Sequence, residues 1–316
     1  MKSTPLLHKK FSIGISFYRM TSEDWINVLR KYQLYIGDIF FSPTESIRFQ
    51  TRRNIYNYDT QDIYFLEKEL SKVLYAAKEL DINRKIVLNV PSFYDNAEEL
   101  VSLYVKYKYK YNIEYVTTFL SCAKRIKEID STQKIICSYN QGIKTHQELK
   151  VIIDSHIFES IVLGTNFFRK IDVFQFMCDY KQKVELLLNN GCMQNCISFC
   201  KFPNEYCKCN FREQLSQKNI NTLYAECSMF PEEVHQYLLP LKIIDCYKLS
   251  TRPIHYSSMI DMLDSYIEGN SEKYISSKTN NYNLYGRLAH FHPYYNDLDY
   301  KTIISQKEAI WREVLK

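Results

Sequence analysis

KIICSYNQGIKTHQELKVIIDSHIFESIVLGTN, residues 134–166, contains one complete strand–helix–strand unit. Residues 134–139 form a short β-rich run that ends in two amides, Asn140 and Gln141. Residues 145–154 read as the helix that follows. Residues 160–163 are a second apolar run, closed by Gly164, Thr165 and Asn166. Two strands joined by a helix run parallel, because a hairpin has no room for one.

The same alternation extends in both directions. Before this unit, strands are expected at 11–16, 36–42, 85–90 and 113–119, with helices at 25–33, 62–80, 96–110 and 122–129 between and after them. The run 85–90 is apolar from Ile86 to Leu88, as in strands buried on both faces, and ends in Asn89 and Val90. After the unit, Arg169 opens a helix, and strands follow at 184–188 and 245–249, with a last barrel helix at about 254–267. Eight strands alternating with helices, with no clear linker, predict a parallel α/β fold. The count favours a closed (β/α)8 TIM-barrel-like architecture over an open doubly wound sheet. The barrel is expected to span 1–268, with a cysteine-rich loop at 189–228. Residues 269–316 are expected to be a C-terminal extension packed on it, ending in a helix at 305–315.

Composition narrows the function classes. The chain has 316 residues, 46% of them hydrophobic, enough for a substantial core. Its net charge of +5 gives no argument for a nucleic-acid partner and leaves one open. No apolar run approaches membrane-spanning length, and the N-terminus lacks a secretory h-region, so a cytoplasmic protein is expected. Cytoplasmic thiols stay reduced, so ten cysteines point to metal binding or chemistry before disulfides. With only 7 glycines, asparagine is expected to take many of the turns that need positive φ. No GxGxxG or P-loop spacing follows any strand, so nothing marks a dinucleotide or ATP site. HExxH and GxSxG are also missing, so no hydrolase motif is present.

The densest chemistry is NNGCMQNCISFCKFPNEYCKC, residues 189–209. Cys192, Cys196, Cys200, Cys207 and Cys209 crowd one polar loop behind strand seven, and Cys227 follows. Four soft thiolates suit tetrahedral zinc or an iron–sulfur cluster. The spacings lack the paired CxxC knuckles usual for zinc, which favours iron–sulfur. Cys122, Cys137, Cys178 and Cys246 lie in or beside expected elements and read as buried small hydrophobes. The three-cysteine spacing of radical S-adenosylmethionine enzymes is not matched, and theirs follows the first strand.

Two blocks carry a family resemblance. LLLNNGCMQNC (186–196) resembles the strand-plus-NxGCxxxC signature of peptidase family U thirty-two, the collagenase-like peptidases. FPEEVHQYLLPLKIIDCYKLSTR (230–252) resembles a second segment of that family, matching at Pro231, Glu232, Tyr237, Lys248 and Arg252, with Thr251 in place of glycine. The stretches 138–150 and 160–170 share the family's cadence, and the likeness covers about 10–265. It implies a barrel and, in several branches, a 4Fe–4S cluster on four cysteines. It also implies either an oxygen-independent hydroxylation-type redox activity or a peptidase. Here Ile197 replaces the usual proline after the second cysteine, and extra cysteines are present. The expected ligands are Cys192, Cys196, Cys209 and Cys227, with Cys200 and Cys207 as alternates. A non-catalytic, metal-stiffened partner of a homologous subunit is the third reading.

At the expected strand ends, Lys248 and Arg252 are candidates for catalysis and for gripping the carboxylate or phosphate of an anionic small-molecule or macromolecular substrate. The competing reading for them is a salt bridge to Glu232 or a similar acid. Arg169 is read as a third anion contact or as a partner of Asp172. Asn140 and Gln141 are candidate neutral hydrogen-bonding contacts. His290 and His292 with Asp297 and Asp299 are read as a metal group or, with the aromatic residues around them, as simple packing. KYKYKY, 106–111, reads as an RNA contact or as a solvated helix face.

Overall fold

Eight parallel strands pair in sequence order, and the last pairs with the first. In chain order the elements are β1 (Phe11–Gly14), α1 (Ser22–Lys31), β2 (Ile36–Phe41), α2 (Asp62–Glu79), β3 (Asn83–Val87), α3 (Ala97–Tyr111), β4 (Glu114–Thr117) and α4 (Leu120–Ile129). Then come β5 (Ile135–Cys137), α5 (His146–Asp154), β6 (Ser160–Leu163), α6 (Ile171–Asp179), β7 (Lys183–Leu187), α7 (Phe211–Gln217) and α8 (Ile220–Cys227). The chain ends with α9 (Pro231–Glu233), which runs on into a π-helical turn, β8 (Cys246–Leu249), α10 (Tyr256–Glu268) and α11 (Tyr300–Val314). This computed structural model describes residues 7–17, 19–42, 62–88, 97–118, 120–138, 143–189, 211–249, 255–275 and 296–316. The closed (β/α)8 barrel predicted from the alternation is the fold, and each strand lies within two or three residues of its expected place.

Alternation along each strand divides the side chains into two sets. Ile13, Ile39, Ile86, Tyr115, Ile135, Ile161, Leu186 and Tyr247 join the helices in one large buried cluster outside the barrel. Their neighbours of opposite parity point inward. Val87, Val116, Ile136, Val162 and Leu187 make a second, separate apolar cluster inside, with Phe40 against it.

Local chemistry sets the helix ends. Thr21 and Thr145 cap α1 and α5, and Asp24 and Glu148 complete reciprocal capping boxes. The returns into the strands use left-handed residues: Lys9, Asp81, Asn112, His156, Lys181 and Lys242 have φ between +49° and +56° and precede β1, β3, β4, β6, β7 and β8. After α6, the Lys181 amide donates to Cys178 O and that of Gln182 to Met177 O, at 2.8 and 2.9 Å, which is a Schellman closure. Asparagine therefore takes only one of these described turns, contrary to the composition argument. Lysine takes three, and at Lys181, just after α6, the cation meets the negative end of the helix dipole. Among the described residues, no helix is long and apolar enough to cross a membrane.

Candidate active site

Asp38 on β2, Lys85 on β3, Glu185 on β7 and Lys248 on β8 are buried charges of the inward set, and Glu114 on β4, partly buried, pairs in register with Lys85. Lys85 Nζ donates to Glu185 Oε1 and pairs with Asp38 Oδ2, each at 2.8 Å. Ser12 Oγ donates to Asp38 Oδ1, and Ser160 Oγ to Glu185 Oε1 at 3.0 Å. The Cys246 thiol lies 3.8 Å from Asp38 Oδ2. Lys248 Nζ stands 3.7 Å from Glu185 Oε2 and 4.3 Å from the centre of the Phe40 ring.

The depth of these groups follows from the register. Leu187 pairs with Lys248 and Val87 with Val116, so Lys248 starts in the inner apolar layer, two residues nearer the strands' carboxyl ends than Glu185. Lys85 and Glu185 lie beneath that layer. Burial opposes charge on Lys85, but Asp38 and Glu185 outweigh it and hold its pKa well above the ordinary lysine value. Burial also pushes Glu185 upward, and the Lys85 and Lys248 charges reverse this to keep it below the usual carboxylate range. For Lys248, burial dominates. The attraction of Glu185 is offset by repulsion from Lys85, and its pKa is lowered. Burial, then Asp38 and Glu185, push the Cys246 thiol well up, which makes it a poor nucleophile.

A second buried ionic group lies outside the barrel wall, at its carboxyl-end side. Arg169, between β6 and α6, donates from Nε and Nη2 to Glu233 Oε1 at 2.8 and 2.6 Å. Its Nη groups also reach the carbonyls of Ala225, Glu226 and Ser228 at 2.8–3.1 Å. Lys307 of α11 adds contacts to Glu233 Oε2 and to the Ala225 and Ser228 carbonyls, and Trp311 Nε1 donates to Glu233 Oε1. Two cations and one carboxylate thus gather at the C-terminus of α8, where the helix dipole favours positive charge.

The expected site residues separate on this frame. Arg169 is no substrate clamp: Glu233 and three carbonyls occupy its guanidinium, and Asp172 instead faces His146 at 3.4 Å. Lys248 pairs with an acid, namely Glu185. Glu232 is taken by Ser271 and Tyr300. Asp299 caps α11 by accepting from Thr302 N at 2.7 Å, so it is used structurally, whereas His290 and His292 lie outside the described residues. Lys106 and Lys110 sit 3.8 and 3.9 Å from Glu67 and Lys108 pairs with Asp130, as on a solvated helix face. Asn140, Gln141, Arg252, Cys192, Cys196, Cys200, Cys207 and Cys209 lie outside the described residues. Cys227 is buried at the end of α8, the end that Arg169 holds toward the strands' carboxyl side. Among the described residues, no group of three or more His, Cys, Asp or Glu could hold a metal ion.

Asp38, Lys85 and Glu185 escaped the sequence reading, although a signal was present. Asp38 is the single charge of β2, and in β3 and β7, which also carry Arg84 and Lys183, the strand parity singles out Lys85 and Glu185. Charges at one parity of barrel strands must meet inside the barrel.

No protein-family model and no curated protein matches the sequence. Among solved structures, a U32 peptidase is similar at 8% identity and a TM-score of 0.47, over 77% of this chain and 93% of the other. A chain of the tryptophan synthase α2β2 complex from the hyperthermophile Pyrococcus furiosus is similar at 12% and 0.42, over 85% and 97%. A glycerophosphodiester phosphodiesterase from Parabacteroides distasonis is similar at 11% and 0.41, over 81% and 99%. Likeness at this level says nothing about substrate or chemistry.

Proposed function

We propose that this barrel is an iron–sulfur enzyme acting at the carboxyl ends of its strands. In this reading Cys192, Cys196, Cys209 and Cys227 hold a 4Fe–4S cluster, with Cys200 and Cys207 as alternates, and zinc is the competing metal. The observation that carries the reading is where the cysteine run begins. Asn189, fully buried just beyond β7, precedes Cys192 by three positions, and the strand beside it presents Lys248. The carboxyl-end face is where (β/α)8 enzymes place their chemistry. Cys227 supports the assignment by position, because Arg169 tethers its helix end to that side.

A bound cluster would supply one-electron transfer there. The protein's part is to bind and orient. Arg252, three residues beyond β8, offers a planar fork for a carboxylate or phosphate, and Asn140 and Gln141, after β5, offer neutral hydrogen bonds. The reaction is an oxygen-independent redox modification of an anionic substrate, of the hydroxylation type.

Purification under strict anaerobiosis with iron, sulfide and zinc analysis tests this. The expected result is iron and acid-labile sulfide in equal amounts, lost in Cys192→Ser and Cys196→Ser. Zinc in their place would reduce the centre to a structural staple. Metal-free protein from an oxygen-protected preparation would sink the proposal, and peptidase activity that survives both substitutions would replace it. Obligate co-purification with a homologous chain would move the activity to a partner subunit.

A further inference from the structure

Lys248 and Lys85 share one carboxylate on unequal terms. Lys85 takes Glu185 Oε1 at hydrogen-bonding distance, and Ser160 takes it as well. Glu185 Oε2 is buried and has no hydrogen-bond partner, and the Lys248 ammonium stops 3.7 Å short of it. Among the described residues, the Lys248 ammonium makes no hydrogen bond. A cation needed only for stability would close that gap, since a buried ion pair repays its desolvation only with full hydrogen bonding. Lys85, bound at 2.8 Å on both sides, meets that standard. Lys248 does not.

Among the described residues, the inward positions toward the carboxyl ends on β1 and just after β5 are small. Gly14, inward by alternation from Ser12, contributes no side chain on β1, the strand that pairs with β8 beside Lys248. Ser138, inward by alternation from Ile136, is small as well. Val87 and Leu187 in the inner apolar layer each keep 8% exposure, against at most 3% for Val116, Ile136 and Val162. The carboxyl-end side of this layer is the face that carries substrates in this architecture. An aliphatic amine desolvated over an aromatic ring, with a second cation nearby, is how proteins keep a lysine nucleophilic at neutral pH. Burial and Lys85 act on Lys248 in that direction.

We propose that Lys248 is the amine of a carbonyl-binding site, forming a Schiff base with a small aldehyde or ketone that enters from the carboxyl ends of the strands, with Glu185 as its proton partner. The ammonium first passes a proton to Glu185 Oε2. The freed lone pair of Nζ attacks the carbonyl carbon, so a C–N bond forms as the C–O π bond breaks. One proton from nitrogen moves to that oxygen. The proton held by Glu185 then follows it, water leaves, and an iminium remains opposite an ionised Glu185. No oxidant or reductant is consumed. The step needs none of the cysteines, so it goes beyond the cluster assignment and stands or falls separately from it.

The test is reductive trapping. Wild-type protein is incubated with pyruvate or acetone and cyanoborohydride at pH 7–8, and adducts are mapped by peptide mass spectrometry. The expected result is one adduct per chain, on Lys248, formed at least about tenfold faster than on exposed lysines such as Lys181. Glu185→Gln should slow the labelling by about tenfold or more, within the range for loss of a positioned acid–base group. Lys248→Arg should abolish it, and Cys192→Ser should leave it intact. Adducts spread over surface lysines with the Lys248 peptide unmodified would overturn the proposal. Because the wild type alone can give that result, no variant needs to fold for the proposal to fail.

Discussion

Glu233 is the residue on which the outer ionic group balances. It faces Arg169 and Lys307 together, accepts from Trp311, and accepts from the Phe230 amide at 2.8 Å. Burial raises its pKa, but the two cations outweigh this and lower it. Replacing it by glutamine leaves two buried cations without a counter-charge and should cost about 3–5 kcal/mol in urea unfolding. Lys307→Met removes the surplus cation, keeps the aliphatic volume, and leaves Arg169 to hold the α8 carbonyls. It should cost little or even stabilise. The two also separate by pH. Burial brings the Lys307 pKa down to about 7 from an ordinary 10.5. Above pH 7 the unfolded chain therefore holds a proton that the folded chain has shed, and stability from this group rises with pH until the unfolded lysine titrates. Wild-type stability minus that of Lys307→Met should increase between pH 7 and about 9.5. A difference that is flat or falls over that window would contradict this assignment. None of this was legible in the sequence, because Glu233 and Lys307 are 74 positions apart and only the closed fold brings them together.

Elements were legible where a local rule sufficed. The helices at 25–33 and 145–154 were expected where α1 and α5 lie, and Thr21 and Thr145 cap them. Thr21→Ala and Thr145→Ala should each lower stability by about 1 kcal/mol, measured by chemical denaturation. The strand charges were harder. A period-two reading notices apolar content, and one lysine or glutamate in KIV or VELL does not disturb it. The turns were mispredicted because composition says which residue is scarce but not which residue the site rewards. At Lys181 the backbone has φ of +55°, a conformation that costs a side-chain-bearing residue about 1–2 kcal/mol. Part of that is offset by the helix dipole and by the greater freedom glycine has when unfolded. Lys181→Gly and Asn112→Gly should therefore stabilise by about 0.5–1 kcal/mol each, raising the denaturation midpoint with the slope unchanged. The opposite holds at Gly269, the left-handed end of α10. A Cβ there would meet the His235 ring at 2.6–2.9 Å, so Gly269→Ala must destabilise.

At the scale of the molecule, counting strands was enough to foresee the barrel, because eight repeats of one local pattern admit few closed arrangements. The cysteine run was legible as chemistry but not as geometry, since thiol spacing along a loop does not fix which sulfurs meet. The last helix shows a different limit. The sequence reading packed it on the barrel as a generic extension. In the structure α11 lies against α8, with Trp311 stacked on Tyr237 at 4.4 Å and Lys307 among the α8 carbonyls. Tyr300, at its first turn, reaches Glu232 at 3.0 Å. This helix thus completes the environment of Glu233, which in turn holds Arg169 at the carboxyl side of β6. Stopping the chain after residue 295 should therefore do more than expose an apolar face. It removes one of two cations and the indole donor from a buried carboxylate and uncovers the wall beside α8 and Cys227. The expected outcome is a drop in melting temperature together with binding of a hydrophobic dye. Adding a peptide of residues 296–316 in trans should reverse both, because the docking surface on α8 and α9 is built by the barrel segment alone. If the shortened chain melts as the full one does, α11 is an ornament on the barrel, and the ionic group around Glu233 holds without it.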